Sequence, residues 1–348
     1  MNTQQQRRPI GEKLIFFMLL LGLFFSTPIL RAQAQTRSPK IYACVLSTKN
    51  YIVGFKNPPS GLFVSADTGA TFHHMGWENI RCFGFAMHPK QIGKTFFLAS
   101  GNGVFRTEDG GQHWRILTDW HETEIQEVLV NPRNPRKIVI GTPYGIFRSE
   151  DGGQTWQLSN SGLQTIDNQF VSALAMDRTN PDHLLLGSES GIFESTDGGK
   201  SWTPRGLKGK PVLDLKQDPF KAALFYAGTD DFGIFRSFDG GKSWRAAGGK
   251  LGHKSVYVVT PDPTTKGTVY AGTFEFGVYK STDFGKHWRQ GSRGLTNKTV
   301  HALAVFPGRP NLIFAGTAGG GIFRSRNGGN TWQFAGLPNA EVWDIQIW

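Results

Sequence analysis

From residue 40 onward the chain repeats one hydrophobic pattern. Runs of roughly four to eight apolar, β-branched or aromatic residues are each closed by Gly, Pro, Asn or Asp. Between Phe170 and Thr203 the runs are FVSALAMD, HLLLGS, GIFEST and SWTPRG, four strand-length pieces joined by turns. The same set recurs as IQEVLVNP, KIVIGT, YGIFRS and TWQLSN, and again as VHALAVFP, LIFAGT, GGIFRS and TWQFAG. No run has the length of a helix or its 3.6-residue period, which argues against a helical solenoid.

A glycine-rich acidic loop separates the third run from the fourth: SADTGATF, TEDGGQHW, SEDGGQTW, STDGGKSW, SFDGGKSW, STDFGKHW and SRNGGNTW. Its third position falls at Asp67, Asp109, Asp151, Asp197, Asp239, Asp283 and Asn327, at spacings of 42, 42, 46, 42, 44 and 44 residues. A period in this range with four strands per unit predicts blades, and seven units predict an all-β, seven-bladed β-propeller of four-stranded antiparallel blades. The seventh loop is followed only by EVWDIQIW, the C-terminus, while the N-terminal side offers KIYACVLS and YIVGF before GLFVSAD. Glu341–Trp348 is therefore expected to supply the innermost strand of the blade built from about Lys40 to Gly76, closing the ring and hiding its edges.

In SEDGGQTW, Gly152 or Gly153 can take positive φ, and the Asp151 carboxylate can accept backbone and hydroxyl hydrogen bonds across the turn. Trp156 then starts the outer strand and can cover its blade. Each copy has only one reliable carboxylate, too few for calcium, and no copy has the Gly-Lys-Ser/Thr ending of a phosphate loop at the right spacing. The seven turns are thus expected to be structural, with no metal and no cofactor. The S/T-x-D-x-G-x-T-W element resembles the Asp-box, or BNR repeat. The longer GTPYGIFRSEDGGQTW resembles repeats of sortilin-type receptors, xyloglucan-degrading glycosidases and the photosystem II stability/assembly factor. The resemblance covers essentially the whole chain after its N-terminal segment. It implies the propeller and says little of activity, since fold and function separate.

That N-terminal segment carries Arg7, Arg8 and Lys13, the apolar run LIFFMLLLGLFF and then Ala32-Gln33-Ala34. This is the pattern of a secretory signal peptide over residues 1–34, and the run is well short of the roughly 20 residues that span a bilayer. The remainder, 35–348, reads as one propeller domain, secreted or held in the periplasm or cell envelope. The 44 glycines, about twice the ordinary level, suit many tight turns. The net charge of +11 falls to +8 without the segment, too diffuse for the focused basic stripe of a nucleic-acid binder. Cys44 and Cys82 both lie in strand-like runs, where export permits a disulfide and burial equally permits two free thiols.

In the families resembled, the acidic turns point away from the ligand. The expected working surface is the opposite mouth, built from the loops between second and third strands and from the blade junctions. These loops carry Trp77, Trp120, His121, Tyr144, Asp230, Asp231, Phe232, Glu275 and Phe276, aromatics beside carboxylates that suit a protein anchor or a stacked sugar. Early junctions are acidic and later ones rich in lysine. A hydrolase needs two carboxylates roughly 5 to 9.5 Å apart, for which Glu122 with Asp231 or Glu275 are the candidates. There is no arginine triad of sialidase type, and the xyloglucan enzymes pair two propellers where this chain has one. The expectation is a monomeric, non-catalytic scaffold for a protein partner or an extracellular glycan. Its alternative is a glycoside hydrolase.

Overall fold

The computed structural model describes residues 38–48, 59–247 and 249–348. The segment expected to be a signal peptide and the YIVGF run lie outside the described residues. Pro39–Trp348 forms one compact unit of seven four-stranded antiparallel sheets. Blade 4 shows the unit: Val171–Met176, Leu184–Ser188, Gly191–Ser195 and Thr203–Gly206, running from the axis outward. The other innermost strands are Cys82–Met87 in blade 2, Glu127–Val130 in blade 3 and Val212–Gln217 in blade 5, followed by Val256–Pro261 in blade 6 and Val300–Val305 in blade 7. Successive inner strands touch all the way round, so the structure is the seven-bladed β-propeller that the repeat predicts.

Blade 1 is composite. The C-terminal strand Ala340–Ile347 pairs antiparallel with Ile41–Thr48, which pairs with Gly61–Ser65 and then His73–Met75. The last strand of the chain is thus the innermost strand of the first blade.

Blades meet through a repeated close approach. The glycine of the second strand has no room for a side chain, because a Cβ on Gly187 would lie 2.6 Å from Val212 Cγ1 and one on Gly316 would lie 2.6 Å from Val342 Cγ1. At five of the seven junctions a valine of the following inner strand, Val171, Val212, Val256, Val300 or Val342, fills that hollow, so packing helps to fix blade spacing.

The acidic turns behave as hairpin staples. Asp151 Oδ1 accepts from Ser149 Oγ at 2.8 Å, Gln154 N at 2.9 Å and Thr155 N at 3.0 Å, while Oδ2 accepts from Thr155 Oγ1 at 2.7 Å. Gly152 and Gly153 have φ of 82° and 89°. In the seventh copy Asn327 Oδ1 takes the same backbone N–H, from Thr331 at 2.9 Å, and Nδ2 donates to Thr331 Oγ1, so the amide keeps the staple without the charge. The turns also serve their neighbours: Arg106 donates to Gly152 O, Arg236 to Phe284 O and Arg324 to Thr68 O, each reaching the next blade.

The tryptophans differ from expectation. Each stands just before its outer strand, and the strands are short, Gln157–Leu158 in blade 3. Trp156, Trp202 and Trp332 donate their indole N–H to Leu117, Ser159 and Gly291 carbonyls of the preceding blade, whereas Trp114, Trp244 and Trp288 bond within their own turn. Half of these rings therefore bridge blades instead of only covering one. Cys44 and Cys82, on the adjoining strands of blades 1 and 2, are fully buried as thiols with sulfurs 2.7 Å apart.

Candidate functional site

Strand order puts the acidic turns and the loops between first and second strands at one end of the ring. The second-to-third-strand loops and the blade junctions share the other end. That second end is the mouth, and every binding residue expected from the sequence stands on it.

The mouth divides into two sectors. On blades 1 to 3, Trp77 is half exposed with its edge on Phe105, ring centroids 5.2 Å apart. Trp120 is 79% exposed and lies over the ring of its neighbour His121, with centroids 3.5 Å apart. His121 is held by Asp119, whose Oδ1 accepts from the His121 backbone N–H and contacts Nδ1, both at 2.8 Å. These bonds lower the Asp119 pKa below the usual carboxylate range. Tyr144 is exposed at the tip of its hairpin, and Glu122 accepts from the Asp119 backbone within its own loop.

On blades 5 and 6, the hairpins Thr229–Gly233 and Thr273–Gly277 each carry a non-glycine residue in the left-handed region, Asp231 at φ 58° and Glu275 at φ 60°. The equivalent loop of blade 7 has Gly319 at φ 83°. This backbone is unusual for residues with a Cβ. Ser255 Oγ contacts Asp230 Oδ1 at 2.5 Å and Asp231 Oδ1 at 3.1 Å, tying the first hairpin to the next inner strand. Phe232 and Phe276 are partly exposed, and each carries a lysine: Lys210 Nζ is 3.7 Å from the Phe232 ring centre and Lys254 Nζ is 3.1 Å from that of Phe276. Asp231 and Glu275 therefore share a sector, while Glu122 sits three blades away.

Two layers in the channel were not foreseen from the sequence. The inner strands of six blades, all but blade 3, bulge near the mouth, and in blades 1, 2, 6 and 7 the bulge brings an aromatic ring to the axis. Phe83, Trp343, His301 and Tyr257 follow edge to face at centroid distances of 6.1, 4.4 and 4.9 Å, and Phe274 continues the arc to the rim at 6.0 Å from Tyr257. Below the arc lie Glu127, Asp214, Lys216 and Asp344 from blades 3, 5 and 1.

Lys216 Nζ is 3.0 Å from Asp214 Oδ1. Burial works against its charge, but Asp214, Glu127 and Asp344 outweigh burial and raise its pKa. Its side chain is 44% accessible, and because these partners surround it from three blades, that surface faces the channel rather than open solvent. Burial lifts Glu127 to about 8, with Lys216 opposing and Asp344 and Asp214 adding. The polar residues also serve the exposed inner edges: Asp214 Oδ2 accepts from Val259 N at 2.7 Å, and Gln346 Nε2 donates to Phe85 O at 2.7 Å. The signal was present in EVWDIQIW, PVLDLKQD and IQEVLVNP, charges inside runs that otherwise read as core.

At the opposite end a hollow of about 240 Å³ is lined by Arg236, Phe238, Asp239, Ser243 and Arg245. Asp239 there is committed to its own turn through Ser237 Oγ and Ser243 Oγ.

No protein-family model matches the sequence, and no curated protein does. Solved structures do. An ancestral GH74 enzyme aligns with a TM-score of 0.60 at 20% identity, over 78% of this chain and 38% of that one. A GH74 xyloglucanase from Xanthomonas campestris aligns with a TM-score of 0.58 at 19% identity, over 72% and 45%. YCF48 bound to D1 peptide aligns with a TM-score of 0.52 at 19% identity, over 69% and 78%. At these identities the likeness is one of fold, and the chain spans less than half the length of the GH74 enzymes.

Proposed function

We propose that the chain is an exported, non-catalytic propeller scaffold that binds a protein partner, or an extracellular glycan, on its mouth. The observation that carries this reading is where the exposed apolar side chains stand. Of fifteen large hydrophobics exposed among the described residues, eight are on the mouth and four on the acidic-turn end, with the other three on outer strands. A broad surface of this kind, with aromatics spread over two sectors and charged residues between them, suits a macromolecular contact.

The repeat resemblance to the Asp-box of sortilin-type receptors, and the structural likeness to YCF48 bound to D1 peptide, support a binding role. Export rests on residues 1–34, and no helix among the described residues is long and apolar enough to cross a membrane. The glycosidase alternative draws on the GH74 likeness and on the shared sector of Asp231 and Glu275. Against it, Asp231 and Glu275 lie on the tips of two separate hairpins, and Asp231 Oδ1 is already in contact with Ser255 Oγ at 3.1 Å.

The test incubates the purified chain with a panel of polysaccharides and sialoglycans, scoring retention and released reducing ends. Retention without release, lost in Trp120→Ala or Phe232→Ala, is the result expected for a glycan-binding scaffold. No retention is expected if the partner is a protein. Release abolished by Asp231→Asn or Glu275→Gln would make the protein a glycosidase.

A further inference from the structure

The rim carboxylates of blades 4 to 6 lack counter-charges. None of Glu189, Asp230, Asp231 and Glu275 forms an ion pair among the described residues, and they sit in one another's field. Partial burial and then Asp230 and Asp167 raise the pKa of Glu189. Partial burial and then Asp230, Asp231 and Glu275 raise that of the Tyr257 phenol. Lys210 and Lys254 on the same rim lie over the Phe232 and Phe276 rings and form no ion pair with these carboxylates among the described residues.

The same corner holds aromatic faces that carry no cation. Phe274 is 42% exposed, and Tyr257 lies behind it on the arc that leads to His301 and Trp343. The rim thus already seats ammonium groups on two of its rings with its own lysines, and beside them offers free rings next to unneutralised carboxylates.

We propose that this corner of the mouth, between Phe274, Tyr257, Asp231 and Glu275, receives the arginine or lysine side chain of a basic segment on a protein partner. The inference rests on the mouth being the binding face. A guanidinium can stack on a ring and hydrogen-bond a carboxylate at once, and a buried or half-buried cation gains from both. A neutral sugar would use the carboxylates as acceptors but leave their mutual repulsion in place. The chain as a whole is positively charged, so a basic segment is repelled generally and attracted here, which sets its register on the mouth.

The experiment titrates the full chain with Gly-Ser peptides bearing one or two arginines or lysines, and with matched citrulline and acetyl-lysine peptides. The charged peptides are expected to bind at least about tenfold more tightly than their neutral counterparts and to weaken as salt rises. Asp231→Asn with Glu275→Gln should erase that preference without changing the melting temperature, and Glu108→Gln at the opposite end should leave it intact. Equal binding of charged and neutral peptides, no binding of any basic peptide, or indifference to the amide variant would each overturn the proposal. If neutral peptides or oligosaccharides bind and Trp120→Ala or Phe232→Ala releases them while the amide variant does nothing, the mouth stands as the binding face and only its charge preference falls. Binding indifferent to all of these variants removes both.

Discussion

Lys40 and Trp348 exchange both backbone hydrogen bonds, Lys40 N to Trp348 O at 2.7 Å and Trp348 N to Lys40 O at 3.0 Å. Ile41–Thr48 and the C-terminal strand are thereby one ladder out to the final residue, and the two ends of the described propeller are held in a single blade. Deleting residues 340–348 would expose the core faces of blades 1 and 7 together. The truncated chain is expected to lose its cooperative thermal transition and to elute as aggregate by size exclusion. A monomer with an unchanged melting curve would show that closure is dispensable.

The hollow that receives Val342 leaves no space at Gly316, where the backbone itself is not strained. Gly316→Ala is expected to cost about 1–3 kcal/mol by overpacking, measured by urea denaturation. Adding Val342→Ala should restore part of that loss, since the two side chains would compete for one space. Additive losses would place the clash elsewhere.

Stability should fall on both sides of an acidic optimum, for opposite reasons. Hydrogen bonds from Thr155 hold the Asp151 carboxyl well below the usual range, and Asp67, Asp109 and Asp283 are likewise depressed. Their contribution is complete above the unfolded pKa of roughly 3.9 and lost as pH falls through the folded values. Asn327 titrates in neither state.

Glu127 runs the other way. Its folded pKa of about 8 exceeds the unfolded value of roughly 4.3, so the fold is favoured while the group is protonated in both states and weakened as pH rises through that window. Glu127→Gln is expected to raise the melting temperature at pH 8 and leave it nearly unchanged at pH 4. An equal shift at both pH values would mean that charge is not the cause.

The repeat made the blade number, the strand order and the C-terminal closure legible, because Asp67 to Asn327 mark the same hairpin seven times. The loop residues Trp120, Asp231 and Phe276 could be assigned to one end by topology alone. The axial residues could not. Tyr257, His301 and Trp343 sit inside runs that alternate like ordinary strands, and only the bulge beside each one turns its ring to the channel. Asp214 and Lys216 were hidden for the same reason: a sequence pattern separates two faces of a sheet but does not reveal that its innermost edge faces a lined channel.

Cys44 and Cys82 are 38 positions apart, so a bond between them would close a loop worth about 4 kcal/mol in the unfolded chain. Treatment with oxidised glutathione is expected to remove two hydrogens from the intact mass and to raise the melting temperature. A glutathione adduct on either thiol, without the internal bond, would show that the strands hold the sulfurs apart.

The most direct measurement places a photo-crosslinking residue singly at Trp120, Phe232 and Phe276 on the mouth, and on the opposite end at Phe238 and at the exposed Phe220 of the first-to-second-strand loop of blade 5, in cells that make the protein. Discrete adducts from the mouth positions alone are the predicted result. Adducts confined to Phe238 and Phe220 would contradict the mouth as the binding face.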